Sequence, residues 1–193
     1  MTPRNHPSAR RRWRTVLGCA LLLAPMMMIM SAASPLSAQQ ERRDPLNPLE
    51  INQLRDAMLD PEERLKLFVK FSRDRITKLE QMRADPKATE RGQQTHDMLE
   101  DFLGVYDELN DNVDMYFGRK DDIRRPLRLI IEADTEFQAK LRALKTSPNG
   151  NAAEVSQYEF MLTNALETVD SSADDHRKTL ADVEEYMKHK KKK

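Results

Sequence analysis

Cysteine and tryptophan are all but missing from this chain: its 193 residues include one of each, Cys19 and Trp13. A single thiol cannot form an internal disulfide, a Cys-x-x-Cys pair or a c-type haem attachment. Glycine is scarce, at five residues. Gly-rich phosphate loops, His-Glu-x-x-His, calcium-loop spacing and Gly-x-Ser-x-Gly are all absent, so none of these ligand or catalytic signatures applies. There is no strand-like alternation and no close internal repeat. Long hydrophobic runs are missing too, apart from residues 16–30. That run is interrupted by Pro25 and falls short of the ~20 residues a membrane-spanning helix needs.

What is present begins with an export signal. Arg4, Arg10, Arg11, Arg12 and Arg14 form a basic head with no acidic residue, residues 16–30 are apolar, and small residues 31–38 follow. This order predicts a cleavable signal over 1–38, cut after Ala38, with Ala33 as the alternative site. Arg10-Arg11-Arg12-Trp13 resembles a twin-arginine address, but Arg14 stands where that pattern turns apolar. Cleavage removes the only Cys and the only Trp. The expected location is periplasmic or extracellular, in a bacterial envelope.

Removing the signal also changes the charge. The whole chain has 32 basic and 32 acidic side chains. Without the five signal arginines, 27 basic groups face 32 acidic ones, about −5. Setting aside Lys188, Lys190, Lys191, Lys192 and Lys193 leaves 22 against 32 over residues 39–187, near −10. An acidic body argues against nucleic acid as a partner, because phosphate binding needs a basic face.

The remaining composition favours helices. The predicted organisation is a flexible leader over 39–48, one helical-bundle domain over 49–187 and a basic tail over 188–193. A short helix is expected from Leu49 to Leu59, with Leu49, Ile51, Leu54 and Met58 on its apolar side. Asp60-Pro61-Glu62-Glu63 is a helix start, with Asp60 as cap, Pro61 at the first position and Glu63 completing a capping box. Leu59 to Arg64 faintly resembles the Leu-Thr-x-x-Gln motif of small periplasmic stress chaperones, but Asp60 replaces Thr and Glu63 replaces Gln. The helix from Pro61 carries Leu65, Phe68, Ile76 and Leu79, with Ser72 in the gap.

Asp85-Pro86 repeats the start signal for a helix reaching about Tyr116. Its seam is Leu99, Phe102, Tyr106, Leu109, Val113 and Tyr116, at steps of three and four. Gly104 within it reads as a close-packing position. Another helix is expected from about Asp121–Arg125 to Lys145, with Ile123, Leu127, Ile130, Phe137, Leu141 and Leu144. The last runs from near Ala152 to Met187, with a break allowed at Ser171-Ser172. The fold expected is all-α: an antiparallel bundle of about four long helices with a short additional N-terminal helix.

Two polar residues interrupt the apolar stripes, Asp134 and His176. With the hairpin turn centred near 148, Asp134 lies about 14 residues before it and His176 about 28 after it. Straight helices would then keep them apart, leaving Asp134 at a boundary and His176 in a helix seam. A haem or metal role for His176, with Met82 or Met98 as partner, is the weaker alternative. A di-iron site needs Glu-x-x-His pairs, but Gln93 precedes His96 and Ala173 precedes His176. The acidic run Asp107, Glu108, Asp111 and Asp114 reads as solubilising. No catalytic, cofactor-binding or metal-ligating residue is assigned, and no cofactor.

The expected function is therefore a non-enzymatic envelope protein: a binding, adaptor or chaperone-like helical domain. The alternative is a metal- or small-ligand-binding bundle, extending to an enzyme with a carboxylate site that no motif reveals. The basic tail, Lys188, Lys190, Lys191, Lys192 and Lys193, suits an envelope protein or an anionic membrane surface. The Leu99–Tyr116 seam is also compatible with a homodimer.

Overall fold

Capping chemistry sets most of the helix starts. Asn47 Oδ1 accepts from the backbone N–H of Leu49 and Glu50, and Glu50 Oε2 accepts in return from Asn47 N–H at 2.9 Å. This is a complete capping box, with Pro48 at the first helical position. It starts α1, Pro48–Asp56. Asp60 then caps α2, Pro61–Ala84, by accepting from Glu63 N–H at 3.1 Å. The reciprocal bond expected of Glu63 is not made: Asp60 N–H donates to Ala57 C=O at 3.0 Å.

The computed structural model describes residues 44–146 and 150–190. The expected export signal, cleavage sites and Lys191, Lys192 and Lys193 lie outside them. The described residues fall within the unit Glu41–Lys193. After α1 and α2 come α3, Arg91–Gly118, α4, Arg124–Thr146, and α5, Ala152–Lys190. No strand occurs among the described residues, and the all-α class with one short and four long helices holds. None of their helices is long and apolar enough to cross a membrane.

Three local expectations change. Asp85-Pro86 does not start α3. Asp85 caps the end of α2 and turns the chain, accepting from Lys87 N–H at 2.8 Å. The helix begins at Arg91, after Glu90 in the left-handed region with φ 49°. α5 runs unbroken through Ser171-Ser172, where Ser172 Oγ accepts from Asn110 Nδ2 at 3.0 Å. In α1, Leu54 is buried but Leu49 is exposed, and the inward position belongs to Glu50.

Residues 44–47, at the end of the expected leader, are held to the bundle. Pro45 C=O accepts from Arg75 Nη2 at 2.6 Å. The Pro45 ring lies on Gly104 of α3, where a Cβ would come within 2.8 Å of Pro45 Cβ. Gly104 is thus a close-packing position, as its place inside a good helix predicts.

The long helices alternate in direction. α2 runs antiparallel to α3, shown by Arg64–Asn112 and Arg83–Thr95. It runs parallel to α4, shown by Arg73–Glu136 and Lys140–Glu80. α5 packs against both α3 and α4. The four apolar seams meet in one core containing Leu65, Phe68, Leu99, Phe102, Ile130, Phe137, Ala165 and Val169. α3 and α4 stand on a diagonal, which Phe102 and Phe137 bridge edge-to-face at 5.4 Å.

The register of α4 against α5 is offset. Arg142–Asp170, Asp134–His176 and Arg128–Glu184 are each symmetric about residue 155 or 156, not 148. At 1.5 Å rise per residue, the first ~20 Å of α5 therefore stands beyond the end of α4. Those turns pack on α2 and α3 instead. Glu154 pairs with Arg83 at 3.1 Å, and the Arg83 guanidinium lies 5.2 Å from the Tyr158 ring centre. Gly92 permits this approach: a Cβ there would come within 2.9 Å of Glu154 C=O.

Candidate functional site

The offset brings together the two residues that a symmetric hairpin keeps apart. His176 Nδ1 lies 2.9 Å from Asp134 Oδ2, and Tyr106 O–H donates to Asp134 Oδ1 at 2.7 Å. Asp134 and Tyr106 have no exposed surface, and His176 is 3% exposed. The expectation of a boundary Asp134 is overturned, because residue counting assumed a hairpin centred on its loop.

An ionised carboxylate only accepts hydrogen bonds. With Asp134 ionised, both Tyr106 O–H and His176 Nδ1–H must be donors, which assigns the imidazole proton to Nδ1. Burial raises the Tyr106 phenol pKa far above its ordinary value, and the Asp134 charge and hydrogen bond raise it further, against an opposing Ser172 contact. Tyr106 therefore stays protonated and remains a donor. The triad joins α3, α4 and α5 at the bundle centre, under a Tyr106–His176 ring contact of 6.4 Å. None of the three residues lines either cleft described below. Its hydrogen bonds tie the three helices together at one level of the core.

A second constellation lies at the periphery. On α3, His96, Asp97 and Glu100 each offer a ligand atom, and these atoms all lie within 4.8 Å of one another. His96 and Glu100 share a helix face at i and i+4. Asp97 is oriented by Gln93, whose Nε2 donates to Asp97 Oδ1 at 2.8 Å. His96 and Asp97 are half-buried and Glu100 is exposed. One imidazole nitrogen and two carboxylate oxygens suit a borderline divalent cation such as Zn²⁺, Ni²⁺ or Mn²⁺. Sequence reading passed over this trio because it tested His96 only against residue 93. The forward pattern His-Asp-x-x-Glu was the available signal. Among the described residues, neither His176 nor the Asp107–Asp114 run contributes to such a group.

Clefts also open on the surface of the described residues. One, of about 330 Å³, is lined by Glu62, Asp122, Arg124, Arg125 and Arg128 at the start of α4. Arg124 is bound to Asp122 at 2.6 Å, and Arg128 to Glu184 at 2.7 Å. Another, of about 280 Å³, opens between α2 and the end of α4, with Arg91 at its rim.

No family model, curated protein or solved structure matches this chain.

Proposed function

We propose that this chain is an exported helical bundle that binds a divalent transition-metal ion through His96, Asp97 and Glu100, acting as a binding protein and not as an enzyme. The observation that carries the reading is the convergence of three donor atoms within 4.8 Å on one turn of α3. A single-turn, partly exposed site with three protein ligands leaves coordination positions open to water. Such a site exchanges its ion readily. Export is supported by the basic head, apolar run and small-residue exit of residues 1–38.

Zn²⁺ titrated into the full chain by calorimetry tests this. One saturable site is expected, weakened roughly tenfold or more in His96→Ala, and also in Gln93→Ala through loss of ligand orientation. Binding should weaken on acidification, since imidazole must be neutral to ligate. Zn²⁺ binding that is indifferent to His96 would remove the proposal.

A second reading places an anionic membrane surface against one end of the bundle. The end of α3, the start of α4 and the end of α5 lie together there. They present exposed Phe117 and Tyr186 beside Arg119, Lys120, Arg125, Lys188 and Lys190. A polybasic segment gains about 1 kcal/mol per residue near an anionic surface. Co-sedimentation with phosphatidylserine vesicles, but not phosphatidylcholine vesicles, is the expected result. Replacing the five terminal lysines by Gln should abolish it, and equal pelleting with both lipids would count against it.

A further inference from the structure

We infer that the cleft between α2 and the end of α4 is a binding site for a small monocarboxylate with an apolar body. The inference is independent of the cation site on α3. The cleft exists because α4 ends early, while α5 continues past it to meet Arg83 and Arg91. Its apolar wall comes from Ile76, Leu79, Leu141 and Leu144. Its volume of about 280 Å³ holds roughly ten non-hydrogen atoms at liquid density.

The charge balance points to an anion. Arg83 and Arg91 both approach one oxygen, Glu154 Oε1, at 3.1 and 3.9 Å. Two guanidiniums thus share one carboxylate, leaving one positive charge in excess. Lys140, on the opposite wall, is matched by Glu80 at 2.7 Å and meets Glu136 at 3.5 Å, and Glu136 is itself matched by Arg73 at 2.8 Å. The Arg83 side chain is only 9% exposed. Its Nη1 donates to Thr95 Oγ1 and Glu154, but its Nη2 has no acceptor. Arg91 Nε likewise makes no hydrogen bond, while its Nη2 donates to Arg83 C=O. A buried donor without an acceptor is costly, and a guanidinium presents its N–H groups in the geometry a carboxylate matches. Both arginines line the cleft, so a carboxylate bound there would lie against this excess positive charge; Arg83 Nη2 and Arg91 Nε are closed to solvent and would meet it once their side chains turn outward. The leucine and isoleucine wall would take the hydrocarbon part.

Octanoate is the probe, with octanamide as its neutral counterpart. Each is titrated into the methyl-labelled full chain and followed by NMR. Octanoate is expected to give saturable shifts at Ile76, Leu79, Leu141 and Leu144, and octanamide none. Arg91→Gln should weaken octanoate binding about tenfold or more, the loss of a charge-assisted hydrogen bond. Arg91 is the half-exposed partner, so this variant spares the fold; an unchanged methyl spectrum without ligand checks that. Lys140→Gln, on the other wall, should weaken binding less. Equal binding of octanamide, indifference to Arg91→Gln, shifts outside the cleft, or no binding at millimolar octanoate would each overturn the inference.

Discussion

Asp134→Ala is expected to destabilise the bundle by about 3–5 kcal/mol, the range for removing one member of a buried polar or ionic pair. The substitution deletes the acceptor of Tyr106 O–H and the partner of His176 Nδ1, both inside the core. It also leaves a void where α3, α4 and α5 meet. Tyr106→Phe should cost less, about 1–2 kcal/mol, because Asp134 keeps its bond to His176. Urea unfolding of Asp134→Ala, Tyr106→Phe, His176→Ala and the Asp134/His176 double variant measures the coupling. The more informative experiment replaces the whole triad by Tyr106→Phe, Asp134→Leu and His176→Leu. An apolar substitute of similar volume is often as stable as a buried ion pair. The expected outcome is stability near that of the parent chain, with relaxed register between α4 and α5, read as faster amide exchange in both helices. A cost below about 1 kcal/mol for Asp134→Ala would mean the triad does not hold the core.

That triad also marks where sequence reading succeeds and where it stops. The apolar seams of α2 to α5 follow from steps of three and four, and nearly every seam residue is buried. Asp134 and His176 stand out as interruptions for the same reason. Their contact does not follow, because helical periodicity fixes which face a residue occupies and leaves open how far one helix slides along another. The slide depends on Gly92, which admits the backbone of α5, and on Arg83 and Tyr158, which hold the overshooting turn. These contacts join residues far apart in sequence, and no local pattern encodes them. The start of α3 fails for a related reason. Asp-Pro fits a helix N-terminus and a turn equally well, and tertiary packing chose the turn at Asp85. The α3 trio was legible in principle, since His96 and Glu100 are four apart. Glu50 was not, because amphipathic reading leaves a lone glutamate on the outer face of α1.

Glu50 carries the other large effect. Its carboxylate accepts from Arg75 Nη1 at 2.7 Å and Nη2 at 2.6 Å, while Oε2 also closes the capping box of α1. Both side chains are 9% exposed. Glu50→Ala should therefore cost about 3 kcal/mol, since it strands a buried guanidinium and uncaps α1 together. Hydrogen exchange should show α1 and residues 44–47 opening first, with α3 to α5 still protected. The pair also predicts a pH dependence of definite sign. Burial alone would raise the Glu50 pKa. The Arg75 hydrogen bonds, the Asn47 N–H and nearby positive charge outweigh it and hold the value below the ordinary 4.5. A carboxyl depressed in the folded state contributes stability above its unfolded pKa, and that contribution is lost as pH falls through the folded value. The stability gap between the parent chain and Glu50→Gln should thus be constant near neutrality and narrow below about pH 4.5. A gap that stayed flat down to pH 2 would show that the carboxylate charge is not what anchors α1.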